Sequence, residues 1–364
     1  MARFPRMPSR RNLAIPGNTQ LVTTTLKGLD DSPPLAKTQS GYLFRMPVAV
    51  RLSSSIASLG PVPNRCAMSN QTRRGFLAAS AIAVTHSLAA RAAGSARPPA
   101  TAEPKFKLGL VTYNVAKDWD LPTILKVCRS AGISAVECRT SHKHGVEPSL
   151  SAADRKDVKK QFADSGVVFW GCGSVCEFQS EKPEVVKKNI ESCKEFVRLV
   201  ADLGGKGVKV RPNGVGKGVS AARSCEQIGA ALVECGRAAA DAGVEIWVEV
   251  HGPTTALPGN MRAIMDACGH PAVGVTWNSN GTDLIDGSLD EGFNLLAKFI
   301  RSCHINDLEN DKRGKYPYRD LFRRLAGIGY DRYTLCEVGK AYAPVSGEAF
   351  LKQYRETWES LVRG

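Results

Sequence analysis

The chain has 364 residues, 43% hydrophobic and 23% charged, and its 49 Lys and Arg against 35 Asp and Glu give a net charge of +14. That excess sits at the start: residues 1–67 hold nine basic and two acidic side chains and residues 68–104 hold four and one, leaving 36 and 32 in the remainder. A nucleic-acid surface needs Lys and Arg clustered on one face, and the near-balanced remainder, which has no such cluster, excludes that class of partner.

In chain order, residues 1–67 are rich in Ser, Pro and Arg without sustained periodicity, and read either as a disordered extension or as sequence upstream of a true start at Met68. Thr72-Arg73-Arg74-Gly75-Phe76-Leu77 follows, then the small and apolar run AASAIAVTHSLAARAAG with its Ala90-Arg91-Ala92 end. A charged start, a short apolar region and a small-residue end are the parts of a twin-arginine export signal. The run is broken by Thr85, His86 and Ser87, so it lacks the roughly 20 uninterrupted apolar residues of a membrane anchor. Residues 68–104 are therefore expected to be a signal peptide and linker. The expected partner is the twin-arginine export machinery, the expected location periplasmic or otherwise exported, with no stable membrane anchor.

From Lys105 onward roughly 260 residues remain, the usual length of a (β/α)8 barrel. Apolar strand candidates are Lys107–Tyr113, Ile133–Cys138, Val167–Gly173, Gly207–Arg211, Val244–His251, Ala272–Asn278, Phe299–Asn306 and Tyr333–Val338. Helical patterns fall at 119–131, 151–165, 182–204, 220–242, 257–268, 288–298, 317–327 and 347–361. Ala131-Gly132, Ser165-Gly166, Leu203-Gly204 and Ala242-Gly243 punctuate the helix-to-strand joins with glycine suited to a left-handed C-cap. A doubly wound open sheet would carry a Gly-rich phosphate turn after its first strand, and Tyr113-Asn114-Val115-Ala116 stands there instead. The expectation is an α/β protein, a single-domain (β/α)8 TIM barrel over residues 105–364.

Eleven cysteines raise a disulfide framework. Cys128, Cys193, Cys235 and Cys268 sit inside apolar helical patterns, where a thiol behaves as a small hydrophobe. Cys172 and Cys176 lack the second pair that would complete a zinc site. All are expected to be core residues. Trp170, Trp247 and Trp277, within or beside strands, are expected in the core, with stacking on a sugar ring at the mouth as the alternative.

Four strands of the second half end in a polar side chain able to bind a divalent metal: Glu249 in EIWVEVHG, Asn278 in VGVTWNSN, His304 in FIRSCHIND and Glu337 in RYTLCEVG. Catalytic groups in a parallel barrel come from the C-terminal ends of several strands. A second group follows the second strand in VECRTSHKHGVEP: Glu137 and Arg139 share a face by period two, and His142 and His144 lie on the next loop. This reads as a substrate-binding edge, with His144 also able to act as an additional ligand. Lys209 and Arg211 on the fourth strand, with His251, could bind hydroxyls or an anionic group. The polar segment 307–318 is either a lid or a plain exposed loop.

With these motifs in their order, the segment from Lys107 to the C-terminus resembles the sugar phosphate isomerase/epimerase family with the xylose-isomerase-like TIM barrel. In its metal-dependent members a Glu, an Asp, a His and a Glu end the fifth to eighth strands. The resemblance places Glu249, His304 and Glu337 at the first, third and fourth of these positions, and Asn278 where the Asp is expected. It implies a divalent metal (Mn, Co, Zn or Mg) held by Glu249, Asn278, His304 and Glu337. It also implies Glu249 and Glu337 as the acid and base that move a proton next to a carbonyl of a small-molecule carbohydrate. The Asn at position 278 supplies an oxygen without a charge, so metal affinity should be lower than with Asp. The alternatives are a keto-glycoside lyase or hydrolase on the same barrel and a catalytically silent carbohydrate-binding barrel. Endonuclease action on abasic DNA needs a cluster of zinc-binding histidines, and only His142, His144, His251, His270 and His304 follow the leader.

Overall fold

The computed structural model describes residues 103–339 and 346–364. The twin-arginine motif and residues 1–67 lie outside the described residues. Strands and helices alternate as the periodicity predicts: β1 (Lys107–Val111), α1 (Leu121–Ala131), β2 (Ala135–Arg139), α2 (Ala152–Ser165), β3 (Val168–Gly173), α3 (Pro183–Leu203), β4 (Gly207–Val210) and α4 (Ala221–Asp241) form the first half. The second half runs β5 (Glu245–Glu249), α5 (Pro258–Cys268), β6 (Val273–Asn278), α6 (Asp290–Leu296), β7 (Ile300–Ile305), α7 (Tyr318–Gly327), β8 (Tyr333–Cys336) and α8 (Gly347–Val362). The strands close into a barrel in sequence order, sealed by parallel pairing of β1 with β8 through Lys107↔Tyr333 and Leu110↔Cys336.

Local chemistry sets the helix ends. Asp120, Ser151, Ser220 and Ser346 each accept a hydrogen bond from a backbone N–H of the helix they start, satisfying an otherwise orphaned donor. Gly132, Gly166 and Gly204 take the left-handed cap expected of them, whereas the last turn of α4 ends on Ala242 and Gly243 turns left-handed one residue later.

Each strand splits its side chains between two cores because successive residues face opposite sides. On β5, Ile246 and Val248 join the large cluster between strands and helices, while Trp247 belongs to an inner cluster with Val111, Ala135, Trp170 and Leu335. Trp247 stacks on Trp170 at 4.9 Å between ring centroids. Gly207 makes room for it: a Cβ there would lie 2.4 Å from the indole. Beneath this stack Arg332 grips Glu245 with two bonds of 2.6 and 2.9 Å, and Trp247 Nε1 donates to Glu245 at 2.8 Å. The N-terminal end of the barrel is thereby plugged. Trp277 is also fully buried, donating to Tyr316 outside the barrel at 2.9 Å, so none of the three tryptophans lines the open mouth. The ten described cysteines are all free and buried, as small hydrophobes should be. Among the described residues no helix is long and apolar enough to cross a membrane.

Candidate active site and metal centre

Counting in twos from the plug brings one layer of polar side chains to the C-terminal mouth: Glu137, Lys209, Glu249, Asn278, His304 and Glu337. The ligand atoms of Glu249, His304 and Glu337 lie within 4.8 Å of one another, a group that could hold a metal ion. Glu249 and His304 end β5 and β7, and Glu337 follows β8 with its N–H still bonded to Ile305 O at 2.8 Å. Three of the four strand ends singled out in the sequence therefore converge.

His304 is fully buried. Its Nε2 is 3.1 Å from Glu137 Oε2. Its Nδ1 is 3.0 Å from Glu337 Oε2 and 3.9 Å from Glu249 Oε1, yet has no partner with hydrogen-bond geometry. Burial alone would discharge the imidazole, but the carboxylates of Glu337 and Glu137 overcome it and hold the ring protonated to about 10. A pocket that favours a proton on Nδ1 so strongly favours a metal ion there for the same electrostatic reason. Glu137 is placed to be the carboxylate that would orient a ligating His through its other nitrogen. The charges agree with this: three carboxylates face one ammonium, an excess of two that a divalent cation balances once His304 is neutral. The residues present fit such a cation.

Glu249 is held differently. Lys209, 1% exposed, donates to Glu249 Oε2 at 2.8 Å, and Asn278 Nδ2 donates to Oε1 at 3.1 Å. Burial opposes the charge on both partners of the pair. The positive charges of Lys209 and His304 nonetheless bring the Glu249 carboxyl down to about 2, and the carboxylates of Glu249, Glu337 and Glu137 raise Lys209. Asn278 occupies the β6 strand end beside Glu249, bonded through its amide nitrogen.

The other residues singled out in the sequence fall in several places. Glu137 is fully buried against His304, so it serves the site from behind. His144 is also internal: its Nδ1 accepts from Val146 N–H at 3.0 Å, which puts the proton on Nε2, facing Arg139 O at 3.0 Å and Thr112 Oγ1 at 3.2 Å. Burial and the neighbouring His142 push its pKa down to about 4. Both nitrogens are committed, so His144 is neither a ligand nor a substrate contact here. His142 is half-buried, with Nδ1 3.2 Å from Thr112 Oγ1. Arg211 is tied to Glu177 at 2.9 Å, and Asn213 shares that carboxylate at 2.8 Å. His251 is half-buried with an unpartnered Nδ1, and Arg139 lies over the Tyr113 ring at 4.6 Å. Sequence reasoning passed over Thr112, Tyr113 and Glu177. The first two end the β1 strand predicted over 107–113, and that position was the available signal.

Segment 307–318 packs against the mouth from outside. Tyr316 donates to Asp283 Oδ2 at 2.7 Å and the Asn280 N–H donates to the same oxygen at 2.9 Å, while Asp283 Oδ1 is buried without a partner. Burial pushes this carboxyl up to about 7 against the two bonds, which act to lower it. A raised folded-state pKa means that the stabilisation is complete below the ordinary Asp value near 4 and is lost as pH rises through 7. Chemical denaturation of the Asp283→Asn variant should therefore show its stability rising relative to the parent, by on the order of 4 kcal/mol for three pH units, between pH 4 and 7. A difference between variant and parent that stays constant over that range would refute the assignment.

The family described as xylose isomerase-like TIM barrel matches residues 125–359, more than half of the chain. The chain belongs to that family. The fold agrees with solved structures of low sequence identity. The 3-keto-D-glucoside 4-epimerase of E. coli is 15% identical with a TM-score of 0.57, over 71% of this chain and 100% of that one. The D-psicose 3-epimerase of Clostridium cellulolyticum H10, solved with D-tagatose, is 14% identical with a TM-score of 0.58, over 71% and 98%. The IOLI protein with a bound zinc atom is 18% identical with a TM-score of 0.55, over 71% and 98%. No curated protein matches the chain.

Proposed function

We propose that this barrel is a metal-dependent isomerase or epimerase that moves a proton next to a carbonyl of a sugar or related keto-polyol. The observation that carries the reading is the convergence of Glu249, His304 and Glu337 around an unbonded, buried His304 Nδ1. A divalent ion of Mn, Co, Zn or Mg held by those three residues would supply Lewis-acid polarisation of the carbonyl oxygen. The protein's own groups do the rest. Glu337, whose side chain is 13% exposed against 5% for Glu249, is the carboxylate more open to substrate and serves as base. Glu249, fixed by Lys209 and Asn278, is the second carboxylate of the pair and stays ionised, and the proton that Glu337 has taken is returned by Glu337 itself at the neighbouring carbon, which balances the isomerisation. Glu137 keeps His304 oriented. The plug of Trp170, Trp247, Glu245 and Arg332 leaves the mouth as the way in. The twin-arginine motif at Arg73 and Arg74 supports a periplasmic enzyme acting on a free sugar.

One observation favours a second reading, a silent carbohydrate-binding barrel: both oxygens of Glu249 already accept hydrogen bonds from the protein. Metal content of the purified protein with and without chelator separates the two. Asn278→Asp sharpens the test. Under the metal reading the added charge tightens binding, and Mn or Zn raises the melting temperature of the variant more than that of the parent. In a silent barrel the same change sets a carboxylate against Glu249, so the variant would be less stable and indifferent to every divalent metal tried.

A further inference from the structure

Arg139 ends β2 two residues beyond Glu137, on the same face, and so stands roughly 7 Å further out along the mouth than the layer that holds His304. Its guanidinium lies over Tyr113, which itself packs on the inner cluster of Val111, Trp247 and Leu335. The stack therefore belongs to the barrel interior. Among the described residues Arg139 forms no ion pair, and its Nε is buried without a hydrogen-bond partner. Its rim neighbour Arg211 is neutralised by Glu177. Glu137, two residues back, is committed to His304 through Oε2, and Glu147, the next acid along the chain, is already engaged by Thr140 Oγ1 and the Ser141 N–H.

A half-buried guanidinium with an unsatisfied N–H is costly unless something accepts from it. Stacking on Tyr113 holds the guanidinium in place, and with Nε buried it is the two Nη groups that remain to donate, a planar fork that matches a carboxylate with two parallel bonds. Resting on the sugar isomerase reading above, we infer that the substrate is a keto-sugar acid whose carboxylate is bound by Arg139. The offset of roughly 7 Å places that carboxylate at the far end of a five- or six-carbon chain whose carbonyl sits at Glu249, His304 and Glu337. His142, on the loop beside Arg139, is kept below its ordinary pKa by burial and by the Arg139 charge, and as a neutral ring it completes the edge with a donor for a hydroxyl.

The test uses the full chain with Mn present and a matched pair of ligands. 5-Keto-D-gluconate and L-sorbose differ by a terminal carboxylate in place of a hydroxymethyl group. Calorimetric titration is expected to show the parent binding 5-keto-D-gluconate at least ~10-fold tighter than L-sorbose, the size of a charge-assisted hydrogen-bond contribution. Arg139→Met should abolish that preference by weakening 5-keto-D-gluconate far more than L-sorbose, and an unfolding transition close to that of the parent shows that the variant is folded. Arg139→Lys should keep part of it. Equal binding of the two sugars by the parent, or a preference that survives in Arg139→Met, would overturn the inference and leave the sugar isomerase reading standing. An Arg139-dependent preference for L-sorbose 6-phosphate over 5-keto-D-gluconate would replace the carboxylate with a phosphate. Binding of none of these sugars would overturn both readings.

Discussion

Glu337→Gln is expected to lower keto-sugar turnover by at least ~10²-fold, the contribution of one positioned acid or base group, with the unfolding transition close to that of the parent. The carboxylate follows β8 at the mouth with its side chain 13% exposed, and its Oε2 faces His304 Nδ1 at 3.0 Å. Exchange to the isosteric amide removes the base and one charge from the cation site, while the backbone bond to Ile305 is untouched. Proton exchange of a keto-sugar in deuterated water reads the step directly. Undiminished exchange in a variant that unfolds like the parent would remove Glu337 from the mechanism.

The corresponding change at Glu249 has a different signature, because that carboxylate is half of a buried ion pair. Glu249→Gln leaves the Lys209 ammonium without its counter-charge at a site 1% exposed, and should cost about 3 kcal/mol in urea denaturation. That is the low end for unpairing a buried charge, since the amide oxygen can still accept from Lys209. Adding Lys209→Met to Glu249→Gln should restore most of the loss. Removing both charges abolishes the desolvation penalty that either one alone must bear. A single variant as stable as the parent, or a double variant in which the two losses simply add, would show that Lys209 and Glu249 are not coupled. The stability loss also sets how the two Glu variants must be compared: activity lost at Glu249 counts as chemistry once the folded fraction has been matched.

The barrel and the strand-end groups were legible in the sequence, because they follow from local rules. Period-two apolar runs, glycine-punctuated joins and capping side chains such as Ser151 and Ser220 repeat along the chain. Where parallel strands alternate with helices, a polar residue at a strand's C-terminal end can be placed at the mouth without coordinates. Glu249, His304 and Glu337 were found that way. The partners of those groups were not legible. Period two says which face Glu137 and Lys209 occupy, but not that Glu137 reaches His304, 167 residues away in sequence, or that Lys209 reaches Glu249. Those contacts depend on barrel closure and on which side chains are long enough to cross the inner space. Lys209 and Arg211 looked equivalent on their strand, yet one is sealed against Glu249 while the other is paired with Glu177 at the rim. His142 and His144 looked like twins, and the Val146 N–H commits the second alone to an internal bond. The sequence by itself determined the architecture and the chemical types at the mouth, since both arise from periodicity and strand polarity. The tertiary structure alone decided which charges neutralise one another, because pairing depends on distances across the barrel between residues far apart in the chain, and it is that pairing that leaves Arg139 free to meet a ligand.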